Sequence, residues 1–173
     1  MDQTFDLKGG IKYPTLPLNA KIFFTMFILI MGAGYILALM NIIGSLGFDL
    51  QNIIEHFAGS ATDPIALPPM DFPTLATTTH LHMISMGTMA FLLGWIFLFT
   101  RTFSVNIMAV LYFLFFGVIF TDTCSFWLVR YVTEYAVYLM VISGMIMGAC
   151  IGIMIFVPLY EMWLKKDKIG NNS

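Results

Sequence analysis

The chain has 173 residues, 59% of them hydrophobic and only 10% charged, and a mean hydropathy of +0.86. Soluble domains carry about 25% charged residues, so a water-soluble fold is excluded. The formal net charge of −2 leaves no basic surface for a nucleic-acid partner.

Residues 1–21 are polar, carry Lys8, Lys12 and Lys21, and contain no pattern of a secretory leader. Four apolar runs follow, at 22–46, 80–100, 104–129 and 135–160. Each reaches the length of about 20 residues that crosses a bilayer. Lipid offers no partner to open backbone groups, so all four are expected to be helices. The first reads "IFFTMFILIMGAGYILALMNII".

The 47–79 segment is too long for a bare connector. In "DLQNIIEHFAG", Leu50, Ile53, Ile54 and Phe57 share one helical face, which predicts a short amphipathic helix on the membrane surface or capping the bundle. "DPIALPPMDFPT" is proline-rich and expected to be extended, with Thr77–Thr79 supplying cap hydroxyls for the second span. That span opens with "TTTHLHMISMGTM" (77–89), which holds two of the three histidines.

The third span contains one ionisable residue, Asp122, a functional candidate by default in lipid. Arg130 lies eight residues on, on nearly the same face, and Glu134 with Tyr131, Tyr135 and Tyr138 extends a polar ring. Asp122, Arg130, Glu134 and the histidines are therefore expected to converge near one membrane face. In the fourth span Gly144, Gly148 and Gly152 form a small-residue ridge, to which a helix or a flat cofactor could come close. Cys124 and Cys150 lie at depths that differ by about 13 Å, so no disulfide is expected.

Lys8, Lys12, Lys21, Arg101, Lys165, Lys166 and Lys168 fall on one side of the spans, whereas 47–79 has no Lys or Arg. This bias predicts cytoplasmic termini and a periplasmic 47–79 loop in a bacterial inner membrane. The short later connections make neighbouring spans antiparallel. The expected fold is an all-α integral membrane protein, an up-down four-helix bundle with 1–21 and 161–173 cytoplasmic.

The histidines leave several chemistries open. They can serve as interfacial residues bonding backbone and headgroups. They can ligate haem, an axial role imidazole often takes. Residues i and i+2 of a helix point about 200° apart, so His80 and His82 cannot both face one core. A second axial ligand would come from His56 or Met140. Copper is a further option through His80 and His82 with Met86 and Met89, since His82, Met86 and Met89 make one stripe and thioethers suit Cu(I). A quinone or proton site is the last.

The four-span, histidine-bearing bundle resembles small integral membrane b-type cytochromes of bacterial respiratory chains. "TTTHLHM" is also similar, at Thr78 and His80, to the Thr-x-His haem-ligand stretch of haem–copper oxidase catalytic subunits. The resemblance implies haem b near the periplasmic face, with His80 or His82 as axial ligand. It further implies electron exchange with a periplasmic cytochrome c or a quinone. The alternatives are a cofactor-free accessory subunit, packing on other subunits or on itself through Gly144, Gly148 and Gly152, and a periplasm-facing copper protein. No hydrolytic triad or phosphate loop points to a stand-alone enzyme.

Overall fold

The computed structural model describes residues 12–47 and 49–165. Lys8, Lys166 and Lys168, with the outer parts of the two terminal segments, lie outside the described residues. A 3-10 turn at Tyr13–Thr15 precedes α1 (Leu18–Leu46), α2 (Leu50–Ala58), α3 (Phe72–Phe97), α4 (Val105–Tyr131) and α5 (Ala136–Trp163). Apart from the short α2, these helices have 26 to 29 residues and are apolar enough to cross a membrane. At about 1.5 Å per residue each is about 40 Å long, against a hydrocarbon core of about 30 Å. The protein is an all-α integral membrane bundle.

Side-chain contacts fix the up-down order. Trp163 Nε1 donates to Thr25 Oγ1 at 2.9 Å, tying the end of α5 to the start of α1. Tyr112 donates to the Gly94 carbonyl at 3.1 Å and Trp127 Nε1 to Thr79 Oγ1 at 2.8 Å, which sets α3 and α4 antiparallel. The helices α3, α4 and α5 form the packed core, whereas α1 buries only Ile28.

The second span begins eight residues before the expected 80. Asp71 is the cap: its carboxylate accepts from the Thr74 N–H at 2.8 Å, and Pro73 sits in the first turn, where its missing N–H costs nothing. Thr77–Thr79 therefore lie inside α3, not at its start. The proline-rich stretch is folded rather than extended, since Leu67 N–H bonds the Asp63 carbonyl at 3.0 Å and Ser60 N–H bonds the Leu67 carbonyl at 2.9 Å. Gly59 ends α2 at φ +84°, and a Cβ there would lie 2.6 Å from the Pro69 nitrogen, so only glycine fits.

The amphipathic helix α2 caps the bundle at the end bearing the long connection, here the loop end. Phe57 is buried, with Leu50, Ile53 and Ile54 packed around the same apolar cluster. At the opposite, terminal end, Glu161 is 1% exposed and accepts from the Arg101 N–H at 2.8 Å, the Thr102 hydroxyl at 2.5 Å and Lys165 Nζ at 3.1 Å. It thereby closes the α3–α4 turn from α5. Tyr13 is buried beside it and donates to the Ile96 carbonyl. Burial first, then the Glu161 charge and Tyr112, push the Tyr13 phenol far above its ordinary value, so it stays a neutral donor.

Two outcomes follow from these ends. Hydrogen bonds from the Thr74 side chain and then its backbone hold the Asp71 carboxyl below its ordinary value. A depressed group contributes stability above its unfolded value, near about 4, and loses it as pH falls through the folded value. The exchange protection of the Thr74 amide, corrected for the intrinsic rate at each pH, should fall on acidification in the native chain, and Asp71→Asn should abolish that dependence. Glu161→Ala leaves two donors in the turn unmet and should cost about 2–4 kcal/mol in detergent unfolding. Lys165→Ala, at an exposed partner, should cost less than about 1 kcal/mol.

A buried imidazole–carboxylate centre

Three helices bring polar side chains to one level of the core. His82 lies ten residues into α3, Asp122 nine residues before the end of α4 and Ser143 seven residues into α5. At about 1.5 Å per residue these depths are about 15, 13 and 10 Å from the loop end, which places the group inside the hydrocarbon region. Above it lies an apolar cluster with Leu75, Phe126, Val129, Val137 and Met140. Below it lies the main core with Met86, Ile119 and Met147. The polar layer is thus sandwiched between two apolar ones on every helix that contributes to it.

His82 Nε2 lies 3.1 Å from Asp122 Oδ2, with side chains 22% and 7% exposed. The nitrogen is itself buried and off the line of a good hydrogen bond, so the contact is chiefly electrostatic. Ser143 Oγ lies 3.0 Å from Asp122 Oδ1 and 2.9 Å from the Met140 carbonyl, so its one proton serves one or the other. Ser125 and Thr123 bond back to carbonyls of α4 and add no charge. An aspartate at this depth costs about 3 kcal/mol to place in lipid, and these partners offset that cost.

Phe126 roofs the centre. Its ring meets the His82 ring edge-on at 5.3 Å and stacks on Phe57 of α2 at 5.2 Å. The cap helix is therefore in contact with the centre through one aromatic ring.

The remaining expected site residues are dispersed. His80 and His56 are exposed, the second lying edge-on to Phe57. Arg130 does not reach back toward Asp122. Its Nε donates to the Met70 carbonyl at 2.8 Å, and its guanidinium lies over Tyr131 at 4.7 Å. The headgroup end is the favourable place for a guanidinium, and the folded loop supplies the acceptor there. Glu134 is exposed in the α4–α5 turn. Met86 and Met89 pack against the main core and Met140 against the loop-end cluster. Among the described residues no group of three His, Cys, Asp or Glu side chains converges on a metal position. Cys124 and Cys150 are free thiols.

The glycine ridge faces two ways. A Cβ on Gly148 would sit 3.0 Å from the Tyr35 hydroxyl of α1, whereas Cβ atoms on Gly144 and Gly152 would meet nothing within 4 Å. Ser143 and Glu161 carried no signal in the sequence, because each acts on a residue of another element.

If the His82–Asp122 contact sets the polar layer, removing either partner strands the other. His82→Leu or Asp122→Leu alone should each cost about 3–5 kcal/mol, and the double substitution less than their sum. A detergent-unfolding cycle should give a coupling of at least about 1 kcal/mol. Additive losses would mean that the two side chains do not interact.

Neither a curated protein nor a solved structure matches the chain. The profile of a family described as a transmembrane helical domain, Aq_1264_TM, matches residues 47–169, which takes in α2 to α5 and leaves α1 outside. With more than half its length inside that match, the chain belongs to the Aq_1264_TM family of transmembrane helical domains.

Proposed function

We propose that the chain is a small membrane subunit whose bundle holds a protonatable pair, His82 and Asp122, inside the bilayer. It binds and releases a proton there, beside the chemistry of a larger membrane assembly. The observation that carries this reading is the 3.1 Å approach of imidazole and carboxylate within the buried polar layer. Histidine is the side chain that changes charge in the physiological range, and here a carboxylate oxygen faces its ring nitrogen inside the bundle. Intramembrane His and Asp side chains of this kind mark proton relays.

The Lys/Arg distribution supports a bacterial inner membrane with cytoplasmic termini, which puts the pair in the periplasmic half. Haem b, copper and exchange with a cytochrome c or a quinone belong to the electron-transfer alternative. Haem held by two histidines gains no support from the geometry, because His56 and His80 are exposed and His82 Nε2 faces Asp122. Copper on His82, Met86 and Met89 gains little, since both methionines fill the core. Packing on other subunits is supported by the open Gly144 and Gly152 positions.

The test is solid-state NMR of the full-length protein in lipid nanodiscs, labelled at histidine nitrogen and aspartate carboxyl carbon. Across an acid-to-alkaline titration the His82 and Asp122 signals should move in shared steps, and Asp122→Asn should leave His82 with one uncoupled transition. Independent transitions in the native chain would overturn the reading. So would a Soret band in the same sample that vanishes in His82→Ala.

A further inference from the structure

We propose that the groove between α3 and α4, beside the turn that joins them, is a lipid-binding site. It holds one acyl chain of an anionic phospholipid from the leaflet at the terminal end. The site stands apart from the protonatable pair, since Ala90 on its floor lies eight residues beyond His82, about 12 Å further from the loop end.

The order of the lining residues gives the groove a direction. Ala90, Gly94 and Leu98 follow one another at i, i+4 and i+8, so they make a floor along the α3 axis for about 12 Å. Phe91 and Trp95, one residue further round the helix, form one wall, with rings 6.1 Å apart. Tyr112 and Phe116 of α4 form the other. Gly94 keeps the middle open, because a Cβ there would lie 3.3 Å from the Tyr112 ring. The one hydroxyl on the lining, that of Tyr112, is engaged by the Gly94 carbonyl at 3.1 Å. Everything else on the lining is hydrocarbon or aromatic ring, apart from the Trp95 indole N–H.

This lining selects an apolar occupant, and its dimensions select a thin one. The groove encloses about 180 Å³. An apolar cavity of ~150 Å³ takes a molecule the size of benzene, so the space suits a stretch of hydrocarbon chain. A helix, about 10–12 Å across with its side chains, would rest on the exposed Phe91, Trp95 and Phe116 rings instead of entering between them. An acyl chain in a bilayer already runs the way of the groove, because α3 crosses the membrane. The groove meets the α3–α4 turn at Leu98, and Arg101 is exposed in that turn. Lys165 is at the same level, since Glu161 accepts from both its Nζ and the Arg101 N–H. A guanidinium at headgroup depth suits a lipid phosphate.

A chain lying in the groove differs from the lipid that surrounds the other spans. It touches a floor and two walls, so it gains dispersion contacts on three sides. Phe113, 85% exposed on another face of α4, projects into lipid and is no part of the lining.

The test is native mass spectrometry of the full-length protein released from nanodiscs of phosphatidylglycerol and phosphatidylethanolamine in equal amounts. The native chain should keep one phospholipid, phosphatidylglycerol by preference, under activation that strips the rest. Trp95→Ala and Phe116→Ala each lower a wall at an exposed position and should lose that lipid, with circular dichroism checking that the helices are retained. Phe113→Ala should keep it. Arg101→Gln preserves the backbone N–H to Glu161 and should keep a lipid while losing the preference for phosphatidylglycerol. A native chain stripped bare with the rest, or wall variants that hold the lipid as firmly as the native chain, overturns the proposal. So does a dimer that separates in Trp95→Ala, because the groove then belongs to a second copy. A preference that survives in Arg101→Gln overturns the placing of the headgroup at the turn.

Discussion

A carboxylate cannot remain alone in hydrocarbon, and the middle of this bundle is organised by that constraint. Asp122 sits on α4 where lipid and apolar packing leave no water to solvate it. Its partners come from the neighbours on both sides, His82 from α3 and Ser143 from α5. The apolar residues then separate into a layer above and a layer below. Leu75 and Met86 lie on either side of His82 in α3, Phe126 and Ile119 on either side of Asp122, and Met140 and Met147 on either side of Ser143. One turn of slip of α3 or α5 toward the loop end would put Met86 or Met147 where His82 or Ser143 now faces the carboxylate. A polar layer of this kind fixes register in a way that uniform apolar packing does not.

Much of the architecture was legible because lipid allows so few solutions. Apolar runs of more than 20 residues had to be helices, and the 135–160 run became Ala136–Trp163 with only end corrections. The start of α3 was not legible from polarity, because three threonines in a row resemble a cap. Asp71 and Pro73 make the better cap, and Thr79 is satisfied inside the span by Trp127. That error of eight residues hid the depth of His82. Placed near residue 80, the helix start leaves both histidines at the interface, while at Phe72 it carries His82 about two turns further into lipid. The direction of His82 was nevertheless present in the sequence. Met86 and Met89 continue its stripe at i+4 and i+7, and both pack against the core.

The expected convergence of Arg130 on Asp122 fails for a different reason. Arg130 shares its helix face, and sequence spacing on one helix says nothing about acceptors on a loop 60 residues away. The Met70 carbonyl exists as a partner only because the proline-rich segment folds back toward Phe57, with the Met70 N–H on the Phe57 carbonyl at 3.1 Å. Ser143 and Glu161 are hidden likewise. Their partners sit on other elements, and no local period distinguishes them from ordinary residues of an apolar span.

The closure of the α3–α4 turn by Glu161 bears on the order in which the chain can be assembled. The acceptor for the Arg101 N–H lies 60 residues downstream, in the last turn of the last span. A chain emerging into the membrane makes the α3–α4 hairpin before that acceptor has been synthesised. Until then water has to serve the turn, which keeps it at the bilayer surface and free to adjust. Arrival of the final helix locks it, so completion of the bundle is registered at the far end from the site where Asp122 meets its partners.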